Sequence, residues 1–471
     1  MTSTTSRTQK LEKIEDLSLE VKKHEKELEK ILEAEQERPK WNWSSKAMTV
    51  VNRLRQLAND NTSIVRQDLD NLLKWPDKTF ADPKGFYGAK KGFEIFNRNE
   101  DWFEVMGFTR HETQYTFSNA WDKREVGVTF LIPDTIETGT KIPIMWYFHG
   151  GGFVSESELI IDHIPWYSKA SLEHAKRHKA VVIAPDYPLG PEANYKDISD
   201  AIQDFLRFYK DDGCFEKDEQ HWTQWLTKRI NIAGITLDKD RVFIEGESAG
   251  GQAVITALFL NADKLNGTKL KIKSALLRYP MIEDYQRSWT IAGKSLTYMG
   301  KRFSKDDIDQ QARLIAKEIT FLENMDLCPT RSKGYAPQYM SSAFLLSAST
   351  SGLWKWAFTR QHGLRHNIAG GSKDPDYADS LGRAVLQKET TEHEYLPPIY
   401  MYHGHDDTNC PFQETDCFKK VLIALYPTRY VESKTIHLEK VTDVGHGFDY
   451  DLDADREEFV RKAYCWIDNF W

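Results

Sequence analysis

The run "RVFIEGESAGGQAVITALF", Arg241 to Phe259, changes character at its centre. Arg241 to Glu245 has the apolar weight of a buried strand, and the small and apolar residues from Gly250 to Asn261 read as a helix. Between them lies Gly246-Glu247-Ser248-Ala249-Gly250, a G-x-S-x-G pentapeptide. Alone, that pentapeptide is as readily an ordinary glycine-rich turn. Set between a strand and a helix, it becomes a sharp turn that lifts a serine hydroxyl to the mouth of a sheet. The helix N-terminus there favours developing negative charge. Ser248 is therefore the candidate nucleophile.

Outward from this point the same grammar repeats. "IPIMWYF" (142–148), "AVVIAP" (180–185), "SALLRYP" (274–280), "PIYMYHG" (398–404) and "TIHLEKV" (435–441) are further short apolar runs. Their apolarity is continuous rather than alternating, which predicts strands covered on both faces of a parallel sheet. Helical patterns at 197–210, 250–261 and 454–470 separate or follow them, so the fold class is an α/β doubly wound core. Residues 281–395 interrupt the series and carry their own helical pattern at 305–323. An insertion there is expected to cap the strand ends. Its aromatics Trp289, Tyr298, Phe344, Trp354, Trp356 and Phe358 are placed either to line an apolar pocket or to pack the cap itself. The expected organisation is a helical extension (1–40), an N-terminal region combining cap and first strands (41–140), core (141–280), cap (281–395) and core again (396–471). The aromatic run "WFEVMGF" (102–108) is assigned to the lid.

A serine that attacks a carbonyl creates an oxyanion, which needs donors aimed at it in advance. "YFHGGGFVSES", Tyr147 to Ser157, meets that need: three glycines follow a strand, so no side chain blocks approach to the backbone amides. Gly151 and Gly152 are the expected donors, joined by Ala249. The nucleophile also needs a base and an orienting acid, in the chain order serine, acid, histidine. "HGHDDTNC" offers Asp406 and Asp407 at a strand end, and "VTDVGHGFD" offers His446 between two glycines. Asp443 is an outside candidate for the acid.

Bulk composition narrows the alternatives. The net charge of −8 gives no basis for nucleic acid or anionic membrane binding. No apolar run reaches the roughly 20 residues of a membrane span, and the first residues lack a signal-type apolar core. Five cysteines without CxxC spacing suggest neither a disulfide framework nor a zinc ribbon, so a cytoplasmic protein is expected. Leu11, Ile14, Leu17, Val21, Leu28 and Ile31 form one stripe of a helix over 10–38. His24 interrupts its seam, leaving a homodimer and a helix lying on its own domain both open.

Taken together the motifs resemble the hormone-sensitive lipase-like family of α/β hydrolases, which includes arylacetamide deacetylases and plant carboxylesterases. The resemblance rests on H-G-G-G-F (149–153), D-Y-P-L-G-P-E (186–192), G-E-S-A-G-G (246–251), L-P-P-I-Y (396–400), H-G-H-D-D (403–407) and H-G-F (446–448). It covers about 140–280 and 395–471. It implies an α/β-hydrolase fold and a triad of Ser248, Asp407 and His446, with Asp407 favoured over Asp406. Gly151, Gly152 and Ala249 become the oxyanion donors, acting on a small-molecule ester without metal or organic cofactor. Pro188 and Gly190 depart from the usual D-Y-R-L-A-P-E, and Glu247 from the usual Asp. Acyl transfer, lactone or amide cleavage by the same triad is the alternative chemistry, and a ligand-binding protein on the same fold is the non-catalytic one. A rival reading takes His403, His405 and Asp407 as the H-x-H-x-D of a metal hydrolase, although Thr408 stands where that motif continues with histidine.

Overall fold

The structure, a computed structural model, describes residues 102–118, 123–153, 167–189, 193, 195–215, 220–282, 296–298, 301–304, 306, 381, 384–385 and 387–471. Its centre is one sheet of β1 (Phe108–Ser118), β2 (Lys123–Pro133), β3 (Lys141–Phe148), β4 (Val181–Pro185), β5 (Thr236–Glu247), β6 (Ile272–Arg278), β7 (Ile399–Gly404) and β8 (Ile436–Val441). The strand order is β1-β2-β4-β3-β5-β6-β7-β8. Only β2 runs against the others. The described helices are α1 (Trp102–Val105), α2 (Lys169–Arg177), α3 (Tyr195–Lys210), α4 (Trp222–Ile230), α5 (Ala249–Asn261), α6 (Phe412–Leu425) and α7 (Glu458–Asp468). This is the α/β-hydrolase architecture. The six strands and three core helices expected from sequence appear with ends shifted by a few residues.

Along β3 the side chains divide between two layers, as the period of two demands. Ile142, Ile144, Trp146 and Phe148 face a core shared with α3, α4 and α5. Met145 and Tyr147 face a second core shared with α2 and α7. Both layers are apolar, which is why the strand reads as an unbroken hydrophobic run. The hairpin of β1 and β2 reads differently: Val126, Val128, Phe130 and Ile132 alternate along β2 and enter the first core. These are the first strands expected somewhere in 41–140, now fixed at its end.

The aromatic run at 102–108 is core rather than lid. Phe103 and Phe108 are buried in the second layer, with Phe103 edge-on to Tyr167 at 5.2 Å. Apolar rings next to a strand start have a covered sheet face within reach, and burial there removes them from water more completely than a lid surface would. The helix expected at 10–38, the pattern at 305–323, and Trp289, Phe344, Trp354, Trp356 and Phe358 lie outside the described residues. Tyr298 ends a short strand, Leu296–Tyr298, paired with Lys301–Phe303. No described helix is long and apolar enough to cross a membrane.

Phe205 of α3 joins helix to sheet through Trp146 (5.3 Å between centroids), Tyr115 (5.9 Å) and Phe148 (6.2 Å). Phe205→Ala should cost about 3–5 kcal/mol of stability through lost burial and the cavity left behind. A urea titration would show this as a lower midpoint with an unchanged slope.

Candidate active site

Ser248 sits directly after β5 with φ 54° and ψ −122°, a backbone conformation that L-residues rarely adopt. Two hydrogen bonds to the neighbouring strand end hold it there. Its N–H donates to the Arg278 carbonyl (3.0 Å), and its own carbonyl accepts from the Met281 N–H (2.8 Å). The flanking glycine answers a close approach: a Cβ on Gly250 would lie 2.1 Å from the Phe148 carbonyl oxygen. Helix α5 then leaves the turn with every residue from Ala249 to Phe259 buried. The nucleophile candidate is anchored to the deepest part of the fold.

The loops after β7 and β8 bring the other two candidates to the serine. His446 Nε2 lies 2.9 Å from Ser248 Oγ, and His446 Nδ1 lies 2.7 Å from Asp407 Oδ2. Backbone bonds between the loops set this register: the N–H groups of His405 and Asp406 donate to the Val441 and Val444 carbonyls. Asp407 is buried and its Oδ1 accepts from the Asn409 and Cys410 amides at 2.8 and 2.9 Å. Burial alone would raise its pKa. The charge of protonated His446 and hydrogen bonds from His403 and His446 outweigh it, holding the carboxyl well below its usual range. Asp406 and Asp443 are exposed, and neither replaces Asp407.

His403 has a different part from the one a metal motif would give it. Its ring is fully buried, with Nε2 facing both Asp407 Oδ2 (3.1 Å) and the Cys410 carbonyl (2.6 Å). Two acceptors at Nε2 put the proton there, leaving Nδ1 to accept from the Thr415 hydroxyl at 2.8 Å. His405 is exposed beside Phe412, with ring centroids 6.2 Å apart. His403 therefore braces Asp407 in a hydrogen-bonded pocket.

The glycine loop after β3 turns sharply. Gly151 and Gly152 have φ of 94° and 62°, and Phe153 follows at 59°. The Gly150 N–H is occupied, donating to Glu247 Oε1 at 2.7 Å, so the two amides beyond it are the candidates to face a ligand. Tyr187 of the D-Y-P-L motif stacks on the His149 ring at 4.4 Å and donates its hydroxyl to the His149 carbonyl. Phe153 packs edge-on against Tyr187 and Tyr195. The loop is thus held from both sides.

Below the turn lies an ionic cluster that sequence reading missed. Arg278, fully buried, stands 2.9 Å from Glu245 Oε1, 3.0 Å from Glu247 Oε2 and 2.9 Å from Asp449 Oδ2. Tyr147 donates to Glu247 Oε2 (2.5 Å), while Tyr279 and Tyr402 donate to Asp449. Three carboxylates against one guanidinium cannot all ionise without a large penalty. Burial is the main force pushing up both glutamates, and Glu247 reaches about 8 even against the pull of Arg278. The signal was present in the sequence: Glu245, Glu247 and Arg278 are charged residues inside apolar runs, and buried charges require partners. Tyr279 links the cluster to the site, its ring edge-on to His446 at 4.9 Å.

A family profile described as the alpha/beta hydrolase fold matches residues 145–368, which include the glycine loop and the serine turn. A probable carboxylesterase M8 from Phoma sp. is 23% identical over 340 residues, covering 70% of this chain and 86% of its own length. This chain has the α/β-hydrolase fold and resembles the carboxylesterases. Tabersonine synthase from Catharanthus roseus is 30% identical to this hydrolase over 190 residues, 36% of this chain and 54% of that one. The chain thus spans most of the fungal relative and about half of the plant one. Among solved structures, a bacterial heroin esterase aligns with a TM-score of 0.45 at 19% identity, covering 86% of this chain and 96% of its own.

Two predictions follow from the turn and the cluster. Gly250→Ala should abolish folding of the turn, since the contact its Cβ meets is backbone and cannot swing aside. Near-ultraviolet circular dichroism of the purified variant would show lost tertiary signal. The second concerns pH. Unfolded, Glu247 releases its proton near 4.5; folded, it keeps it to about 8. Between these values the folded state binds more protons, so stability falls as pH rises. Buried His174, pushed down from 6.5 to about 3, gives the opposite slope, but only below about 6.5. Melting temperature should therefore decline between pH 6.5 and 8, and Glu247→Gln should make that decline shallower.

Proposed function

We propose that this hydrolase cleaves carboxylic esters through an acyl-enzyme on Ser248, with His446 as general base and Asp407 as its orienting acid. The observation that carries this reading is the continuous hydrogen-bonded line from Ser248 Oγ through His446 to Asp407 Oδ2, at 2.9 and 2.7 Å. His446 takes the serine proton as Oγ attacks the ester carbonyl, then returns it to the departing alkoxide. Asp407 keeps the Nδ1–H tautomer aimed at itself and stabilises the imidazolium. A water molecule, deprotonated by the same histidine, then releases the acid.

The amides of Gly151, Gly152 and Ala249 are the donors for the tetrahedral oxyanion. The positive φ of both glycines and the engagement of Gly150 with Glu247 support that assignment. One such donor contributes about 2.7–4 kcal/mol to a transition state. Every step uses protein groups and water. The fungal relative's name as a probable carboxylesterase supports a small-molecule ester as the substrate. We assign the choice of acyl and alcohol groups to the 281–395 insert, and an apolar moiety fits its aromatic content.

The test is p-nitrophenol release from a graded series of acyl esters. Ser248→Ala should remove turnover on every ester. Asp407→Asn should lower kcat by about 10⁴-fold with binding little changed, the effect of losing the correct histidine tautomer. Asp406→Asn should leave the rate near that of the native enzyme. Turnover that survives Ser248→Ala would sink the serine mechanism, and equal losses at 406 and 407 would sink the assignment of the acid.

A further inference from the structure

At the other end of the sheet from Ser248, α2 and α7 bring together a set of side chains that the ester chemistry does not use. Helix α2 ends just before β4 begins, so its C-terminal end lies by the strand starts, whereas Ser248 follows a strand end. His174 and His178 are four residues apart, one helical turn, and present their rings on the same face. Asp468, the last residue of α7, meets both: its Oδ1 lies 3.4 Å from His174 Nε2 and 2.8 Å from His178 Nε2. One nitrogen of each ring and a carboxylate oxygen fall within 4.8 Å of one another.

Two features go beyond proximity. His174 is fully buried, and neither of its ring nitrogens has a hydrogen-bond partner among the described residues. A buried imidazole with both nitrogens idle is rare, because each is a strong polar group taken from water. Its ring plane is also fixed, stacked on Tyr464 at 4.3 Å and flanked by Trp471 at 5.4 Å. The spacing suits a tetrahedral ion: two ligand atoms at about 2.1 Å from zinc stand about 3.4 Å apart. The His174–Asp468 pair already spans that edge. His178 and Asp468 are 21% and 31% exposed, which leaves them room to adjust and a coordination position open to water. Burial also keeps His174 uncharged at neutral pH, the form in which imidazole ligates.

We propose that His174, His178 and Asp468 form a structural binding site for a zinc-type divalent cation, with water completing the coordination. Two imidazoles and one carboxylate favour zinc and its later first-row neighbours over calcium or magnesium, which prefer all-oxygen sets. The cation would tie α7 to α2 beneath the sheet. Its distance along the strands from Ser248 gives it a part in stability and none in turnover.

The full chain, stripped with chelator, would be titrated with ZnCl₂ by calorimetry and by thermal unfolding. One zinc per chain should bind and raise the melting temperature with concentration. His178→Ala and Asp468→Asn should each weaken zinc binding by more than about 100-fold, exceeding the 10–100-fold loss usual for an outer partner. Both positions are partly exposed, so metal-free melting and p-nitrophenyl ester turnover should stay close to native. Co²⁺ in place of zinc should give visible absorption bands that both variants lose. Absence of any zinc-dependent stabilisation of the native chain overturns the proposal, as does zinc binding undiminished in both variants. Turnover that disappears on stripping and returns with zinc would overturn the structural role.

Discussion

A guanidinium shut away from water must be matched by carboxylates, and in this fold Arg278 draws them from separate stretches of chain. Glu245 and Glu247 come from β5 and Asp449 from the segment after His446. Breaking one such pair typically costs more than replacing the whole group with apolar residues, because the remaining charge is stranded. The arrangement therefore specifies which segments meet. Arg278 gives its carbonyl to the Ser248 amide, Glu247 holds the Gly150 amide, and Asp449 fixes Tyr279 against His446. Serine, glycine loop and histidine are thereby set by one shared group.

Two fully buried acids, one next to Ser248 in sequence and one joined to it through His446, end up on opposite sides of their ordinary range. Asp407 is held down, and Glu247 is pushed up to about 8. Depth does not separate them. Asp407 meets donors only: two amides and two imidazoles. Glu247 also has good donors, but it shares its one cation with two further carboxylates. Neighbouring titratable groups driven apart in this way divide the labour of a site. Here one acid serves the imidazole as a fixed charge, while the other serves the loop backbone as a hydrogen-bond acceptor.

Much of this was legible in the sequence, and the reasons are local. A buried parallel strand must be apolar on both faces, so β3 to β7 announce themselves as continuous runs, whereas β8, expected to be covered too, is an edge strand with no fully buried residue. The serine turn and the glycine loop need small residues at set positions, whatever surrounds them. Chain order and strand ends point to His446 and to the pair Asp406 and Asp407, between which the family resemblance favoured Asp407. The hairpin of β1 and β2 was only loosely placed, because an antiparallel strand alternates and its signal is diluted by polar positions. The lid assignment of 102–108 failed for a related reason: Phe103 and Phe108 are apolar in either setting, and only the packed fold shows which one they occupy. The Arg278 cluster was hidden because its members lie up to 204 positions apart in sequence (449 − 245) and meet only once the sheet is formed. His174, His178 and Asp468 were unreadable for the same cause, having an ordinary i,i+4 spacing and a distant third member.

Helix α5 has a consequence of its own. From Ala249 to Phe259 it offers no residue to solvent, so drift in this segment has nowhere neutral to go. An added methylene there presses on the sheet, and a lost one opens a void. Helix α7 has an outer face carrying Glu458, Arg461 and Lys462, where substitutions fall on water. Lineages descending from such a chain would diverge quickly along that rim and slowly along the serine helix. Distant cousins would then be recognisable by a stretch scarcely a dozen residues long.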